Sequence, residues 1–261
     1  GVKRKQPEQA ETFKKLVDAV YAIVMRVVTL ILRLTPYGVL AIMTKTIATS
    51  DIDSILKLGM FVIASYAALI TMFIIHLLLL TLSGLNPIVY LKKAVPVLVF
   101  AFTSRSSAGA LPLNIKTQRS MGVPEGIANF AGSFGLSIGQ NGCAGIYPAM
   151  LAMMIAPTIG QNPFDPVFII TVIAVVAISS FGVAGVGGGA TFAALLVLSS
   201  LNMPVALAGL LISIEPLIDM GRTALNVSGS MTSGLITSKI TKEIDPGVFN
   251  DQSRVVEAEE A

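Results

Sequence analysis

From Ser120 to Gly221 the chain carries no Lys or Arg, yet its apolar runs there are individually too short to cross a bilayer. A membrane-crossing helix needs about 20 consecutive apolar residues. Residues 127–138, 167–179 and 191–201 each supply little more than half of that before small or polar residues intervene. Irregular backbone at membrane depth is tolerated only where protein or water covers it. Such a chain has to fold its breaks against one another. Composition supports the membrane setting: 54% of residues are apolar, 13% are charged and the mean hydropathy is +0.79, whereas about a quarter of an average soluble domain is charged. A disordered chain, a secreted disulfide scaffold and a nucleic-acid partner are excluded. The single cysteine, Cys143, has no internal disulfide partner.

The order of segments follows from hydropathy and charge. Residues 1–15 read as a basic cytoplasmic lead-in, and 16–49 as a transmembrane helix kinked near Pro36, with Arg26 and Arg33 on one face. Residues 55–84 read as a second transmembrane helix, in which His76 is a residue near a helix end or one turned toward a neighbour, rather than a proton relay. Residues 94–118 and 167–201 read as two hairpins that dip into the membrane and return, with tips at 104–110 (SRSSAGA) and 182–190 (GVAGVGGGA). Between them, 125–158 reads as a helix broken at 139–145. Residues 203–238, opened by Pro204, read as the last transmembrane helix, and 239–261 as a cytoplasmic tail.

Basic residues are kept on the cytoplasmic side of a membrane. That rule places the turns at Lys92 and Lys93, at Lys116 and Arg119, and at Lys239 and Lys242 inside, and the 161–166 loop outside. The two hairpins then enter from opposite faces, as an inverted repeat requires. The polar start, with no initiator Met, reads as the interior of a longer protein.

The last helix carries the chemistry. Glu215, Asp219, Arg222, Asn226, Ser230 and Ser233 recur at spacings of three and four, forming one polar stripe with Thr223 at its margin and an apolar opposite face. Such a stripe inside an apolar helix is costly unless it lines water or a ligand. It suits an amino acid: Asp219 for the ammonium, Arg222 for a distal carboxylate, Asn226 and Thr223 for the α-carboxylate and orientation. Two other patterns carry no function. Residues 185–190 match a dinucleotide fingerprint but lack its βα context, and the sequon at Asn226 lies inside an apolar helix. One His and one Cys cannot build a metal cluster or a Ser-His-Asp set, so no catalytic residue, metal or cofactor is expected.

The serine-bearing first tip, the break at Asn141, the Gly-rich second tip and the run Asp219-Met-Gly-Arg-Thr-x-x-Asn226-Val-x-Gly resemble the sodium:dicarboxylate symporter family. The resemblance covers essentially the whole chain, as the C-terminal half of such a protein. Gln140-Asn-Gly-Cys-Ala-Gly145 and the glycines of 182–189 look most like the bacterial L-cystine symporters. It implies an all-α polytopic membrane protein with the transport domain of the glutamate-transporter-homologue fold, two inverted re-entrant hairpins, and elevator motion against a homotrimeric scaffold. It also implies that Ser106, Ser107, Val183 and Gly185 enclose the substrate with backbone groups, that Asp219 holds its amine, and that Arg222, with Thr223 and Asn226 beside it, holds a side-chain carboxylate.

The sequence departs from the family's sodium-coupled members at two ligand positions, where Cys143 and Ser230 stand in place of aspartates. The coupling ion is then either sodium, held in part by backbone carbonyls, or a proton carried on Glu215 or Asp219. Asn141, Glu215, Asp219, Asn226 and Ser230 are the candidate coupling residues, and Arg105 with Glu215 the candidate gating pair. The expected function is cation-coupled import of L-cystine or a related amino acid across the bacterial inner membrane. Import of an acidic amino acid or C4-dicarboxylate is the alternative, and an ion channel the alternative of another class.

Overall fold

Three Asn-Pro or Asp-Pro pairs start helices in this chain, each for the same reason. The side-chain oxygen of the cap accepts an otherwise orphaned backbone N–H, and the proline behind it has no N–H to satisfy. Asn86 accepts from Ile88 N at 2.9 Å, Asp165 from Val167 N at 3.2 Å, and Asp245 from Gly247 N at 2.9 Å. The structure, a computed structural model, describes residues 52–183, 185, 188–205, 211, 214–251 and 253–256, with scattered positions between 8 and 48.

The chain divides into two units, Gly1–Ile52 and Asp53–Ala261. In the first, the described residues are helical and exposed or nearly so, Phe13, Ile23 and Tyr37 among them. Most of the lead-in expected over 1–15 and of the helix expected over 16–49 lies outside the described residues.

The second unit is helical, with no strand among the described residues. Its elements are α1 (Ile52–Leu82), α2 (Pro87–Ser104), α3 (Leu111–Ser120) and α4 (Glu125–Gly135), then a π-helix (Asn141–Ile146) running into α5 (Tyr147–Ile155) and a 3₁₀ turn (Ala156–Ile159). There follow α6 (Pro166–Ser179) with a 3₁₀ turn (Ser180–Gly182), α7 (Gly189–Ser200), α8 (Glu215–Ile240) and the short α9 (Pro246–Asn250). Leu58–Leu82, Pro87–Ser104 and Asn141–Ile159 are long and apolar enough to cross a membrane. On α6, Val167, Ile170, Ile173 and Ile178 are all exposed, a surface suited to lipid rather than water.

The last long helix, α8, is the hub. It packs against α2, α4, α3 and the π-helix. Val227, Met231 and Leu235 on it join Tyr90, Val97 and Leu113 in the main apolar core. It starts at Glu215; residues 206–210 and 212–213, where the sequence suggests its opening turns, lie outside the described residues.

Two sequence expectations change here. Lys92 and Lys93 do not form a turn: both lie inside α2, which begins at Pro87 and reaches 18 residues, just as Lys116 and Arg119, expected in another turn, lie inside α3. The physical reason is that Lys93 is fully buried and uses its ammonium as internal glue, donating to Ser120 O at 2.8 Å and Val248 O at 2.7 Å. Those two carbonyls end α3 and lie in α9, so Lys93 ties the C-terminal segment to this end of the helices. The second change is that the face of α8 opposite the ionic stripe is not apolar. Ser228 and Thr232 are buried there, whereas Ser233, expected to extend the stripe, is exposed.

Candidate functional site

Helices that stop inside an apolar layer leave backbone groups needing partners, and here the breaks supply partners to one another. The segment 105–110 between α2 and α3 meets the segment after α6 directly: Ala108 N donates to Gly185 O at 3.2 Å. The third break, 136–140, joins them. Gln140 Nε2 donates to Leu136 O at 2.7 Å and to Val183 O at 3.4 Å. A Cβ on Gly185 would stand 3.0 Å from Leu136 O and 3.3 Å from Ser107 Cβ, so any larger residue there would push the three breaks apart by a few tenths of an ångström. Ser107 and Val183 are buried at this junction, and Ser106 Oγ accepts from Gly109 N at 3.0 Å. Of the second tip, residues 184, 186 and 187 lie outside the described residues.

Next to these breaks α8 presents its ionic stripe. Arg222 is 1% exposed and Asp219 7% exposed. One terminal nitrogen of Arg222, Nη2, reaches Glu215 Oε1 at 3.2 Å and Asp219 Oδ1 at 3.3 Å. The guanidinium carbon lies 4.3 Å from the ring centroid of Tyr147, a cation–π arrangement. Among the described residues its Nε and Nη1 have no hydrogen-bond partner, although both are buried.

Arg105 ends α2 in the left-handed region, at φ 54, and its Nε donates to Asp219 Oδ2 at 3.1 Å. A non-glycine residue held there costs about 1–2 kcal/mol, and the ion pair offsets part of that. The pairing expected from sequence, Arg105 with Glu215, is therefore not the one formed. Asp219 lies between the two arginines, while Glu215 takes Arg222 on one oxygen and Thr191 Oγ1, at 2.6 Å, on the other. Thr191 comes from α7, so both hairpin-like segments are tied to α8 by its carboxylates.

Asn226 joins α8 to the π-helix. Its Oδ1 accepts from Gly142 N at 2.8 Å and Cys143 N at 3.4 Å, and its Nδ2 donates to Cys143 Sγ at 3.1 Å. A Cβ on Gly142 would meet Arg222 O at 2.8 Å, so the π-helix lies directly on the backbone of the arginine. Thr223 is buried beside it. Ser230 stands apart from the ionic cluster: its Oγ donates to Ala131 O at 3.0 Å and accepts from Asn114 Nδ2 at 3.1 Å. It lines, with His76, Asn141 and the rings of Phe130 and Phe134, a mostly apolar groove of about 740 Å³. Tyr147 and Thr191, which sequence reasoning passed over, carry no signal beyond an ordinary aromatic and an ordinary hydroxyl.

The arrangement brings Arg105, Glu215, Asp219 and Arg222 together, and with them the tips at Ser107, Val183 and Gly185. Residues 2–240 match the model of the sodium:dicarboxylate symporter family. Among curated relatives, the L-cystine uptake protein TcyP of Bacillus subtilis is 96% identical over all 261 residues of this chain and 56% of its own length. The protein of that name from Bacillus licheniformis is 86% identical over 99% of this chain and 56% of its own, and that from Shouchella clausii 74% identical over 100% and 56%. The chain spans about half the length of the curated relatives it matches.

Proposed function

We propose a function from one premise: this chain belongs to the sodium:dicarboxylate symporter family. It is part of a multi-pass membrane transporter rather than an enzyme. From that premise we read it as the transport domain of a secondary importer of L-cystine, coupled to a cation and moving as an elevator against a trimeric scaffold. The similarity to L-cystine uptake proteins supports the substrate. In this reading α2–α3 and α6–α7 are re-entrant hairpins entering from opposite faces, the first from the cytoplasm.

The observation that carries the reading is the state of Arg222. A guanidinium 1% exposed, with one nitrogen spent on two carboxylates and two others unpartnered, is arranged to receive a further acceptor. A carboxylate fits it, accepting a charge-assisted hydrogen bond from Nη1. Asp219 supplies the ammonium contact. Both of its oxygens are occupied, so an incoming ammonium takes the place of Arg105, the more exposed partner. Ser106, Ser107, Val183 and Gly185 close over the ligand with backbone groups. Thr223 borders it, and Asn226 orients it through the π-helix it holds. Arg105 then serves as the gate with Asp219 as its counterpart.

Coupling through a proton on Glu215 or Asp219, and coupling through sodium near Asn141, Asn226 and Ser230, both fit this geometry. The test is uptake of labelled L-cystine into vesicles containing the full-length protein, in competition with unlabelled cystine and aspartate. Cystine competing at least about tenfold better than aspartate, a difference of about 1.4 kcal/mol, supports the cystine reading. Equal or better competition by aspartate selects the acidic amino-acid alternative, and non-saturable flux selects a channel.

A further inference from the structure

His76 takes no part in the ionic cluster. It lies on α1, a helix that gives the cluster no charged group, and it is buried to 3% exposure. Its two ring nitrogens join two different elements. Nε2 lies 2.7 Å from Asn141 Nδ2, at the start of the π-helix, and Nδ1 lies 3.1 Å from Ser228 Oγ on α8.

The direction of these bonds follows from what each group can do. Asn141 Oδ1 accepts from Gly142 N at 3.1 Å, which turns Nδ2 toward the ring. An amide nitrogen only donates, so Nε2 accepts and the ring proton resides on Nδ1. Nδ1–H donates to Ser228 Oγ. That hydroxyl lies 2.8 Å from Tyr90 Oη and passes its own proton there, and Tyr90 in turn donates to Ser228 O at 3.4 Å. Every member of this buried chain is satisfied, which fixes its orientation.

We propose that His76 is a positioning residue for Asn141. Accepting the Nδ2 proton locks the amide so that its oxygen stays on Gly142 N–H. With Asn226 Oδ1 on the same N–H at 2.8 Å, this closes the first turn of the π-helix, the turn that abuts the backbone of Arg222. An amide turned over would set Nδ2 against Gly142 N–H, donor against donor, and push that turn off Arg222. His76 thus acts on the substrate site through Asn141 and without touching ligand. The inference rests on reading that site as the transport site.

The test uses the full-length protein and two polar replacements. His76→Gln keeps an acceptor within reach of Asn141. His76→Asn keeps a partner for Ser228 but falls short of Asn141. Expected is L-cystine uptake by His76→Gln with KM within about twofold of wild type, while His76→Asn raises KM about tenfold, the scale of one lost hydrogen bond, with little change in maximal rate. On an Asn141→Ala background the His76→Asn effect should vanish, because the positioned group is gone. His76→Gln as impaired as His76→Asn, or a His76→Asn effect undiminished on that background, overturns the proposal. Thermal unfolding of wild type, His76→Asn, Asn141→Ala and the double variant in detergent reads the cycle without substrate. If wild type does not take up cystine, the substrate reading fails, and non-additivity of the unfolding midpoints still decides whether His76 holds Asn141.

Discussion

Replacing Arg222 by Lys keeps the charge and removes the fork, and the two should separate cleanly. In the structure Nη2 alone serves Glu215 and Asp219, at 3.2 and 3.3 Å. A Lys ammonium can take over that double contact. What it cannot reproduce is the stacked plane 4.3 Å from the Tyr147 ring centroid, or the directions of Nε and Nη1. Losing the stacking costs about 0.5–2 kcal/mol. Removing two buried nitrogens that have no partner among the described residues relieves about 1–3 kcal/mol each. Arg222→Lys should therefore leave the ligand-free protein at least as stable as wild type, and more stable by up to about 5 kcal/mol, whereas Arg222→Ala, which takes the shared cation from two carboxylates, should lose about 3–5 kcal/mol.

The ligand sees the opposite. A charge-assisted hydrogen bond to a distal carboxylate is worth about 1.5–3 kcal/mol, so Arg222→Lys should weaken L-cystine binding by about ten- to a hundredfold. S-methylcysteine, which has no distal carboxylate, should bind both proteins alike. The assays are thermal unfolding of the full-length protein in detergent and equilibrium binding of the two ligands. Wild-type cystine affinity in Arg222→Lys, or an equal loss for both ligands, refutes the assignment of Nη1 to that carboxylate.

Three further expectations follow from the same contacts. Arg105→Asn tolerates the left-handed backbone but frees one oxygen of Asp219; a cysteine placed at Ser107 should then react severalfold faster with a polar thiol reagent in the absence of ligand, and an unchanged rate would show that the pair does not hold the tip closed. Glu215→Gln keeps an acceptor for Thr191 but cannot carry a proton; uptake driven by an imposed proton gradient should fall at least about tenfold, and strict sodium dependence of the wild type, with no response to a proton gradient, would remove Glu215 from coupling. Lys93→Met strands Ser120 O and Val248 O, costing up to about 4 kcal/mol for two part-buried acceptors, and should expose the 246–256 segment to protease; unaltered cleavage would mean that Lys93 does not fasten it.

What could be read from the sequence differed by element. Small and polar residues interrupting apolar runs mark 104–110 and a break within 125–158, but the second was expected at 139–145, whereas α4 already ends at Gly135 and Asn141–Ile146 is a π-helix; the polar residues of α8 were legible because their spacing fits one helix face. Lys93 was misread, because a charged pair between apolar runs looks like a turn when nothing local reveals that two distant carbonyls await one of its ammonium groups. Arg105 was assigned the wrong carboxylate for a related reason. Glu215 and Asp219 are one turn apart on α8, and choosing between them requires the three-dimensional position of Thr191, which takes up Glu215. His76 showed itself only as the single histidine in an apolar run; its partners Asn141 and Ser228 lie more than sixty residues away along the chain. Local pattern revealed groups in need of partners, and only the packing could say which partners they found.

The charges of the cluster bear on which ligand it suits. Arg105 and Arg222 balance Glu215 and Asp219, so the site is neutral before anything binds. Burying net charge is expensive, several kcal/mol for each uncompensated ion even after relaxation. L-cystine at neutral pH has two ammonium and two carboxylate groups and adds no net charge. A C4-dicarboxylate adds two negative charges and needs cations beside it to enter. The sodium-coupled members that this sequence resembles carry aspartates at two positions where this chain has Cys143 and Ser230, and both side chains here are bonded within the protein, to Asn226 and to Asn114 and Ala131. Losing two acidic groups weakens the hold on cations that a dianionic ligand would require, and it leaves undisturbed a neutral site that receives a neutral zwitterion. The same two replacements that unsettle sodium coupling thus favour the proposed cystine substrate over a dicarboxylate.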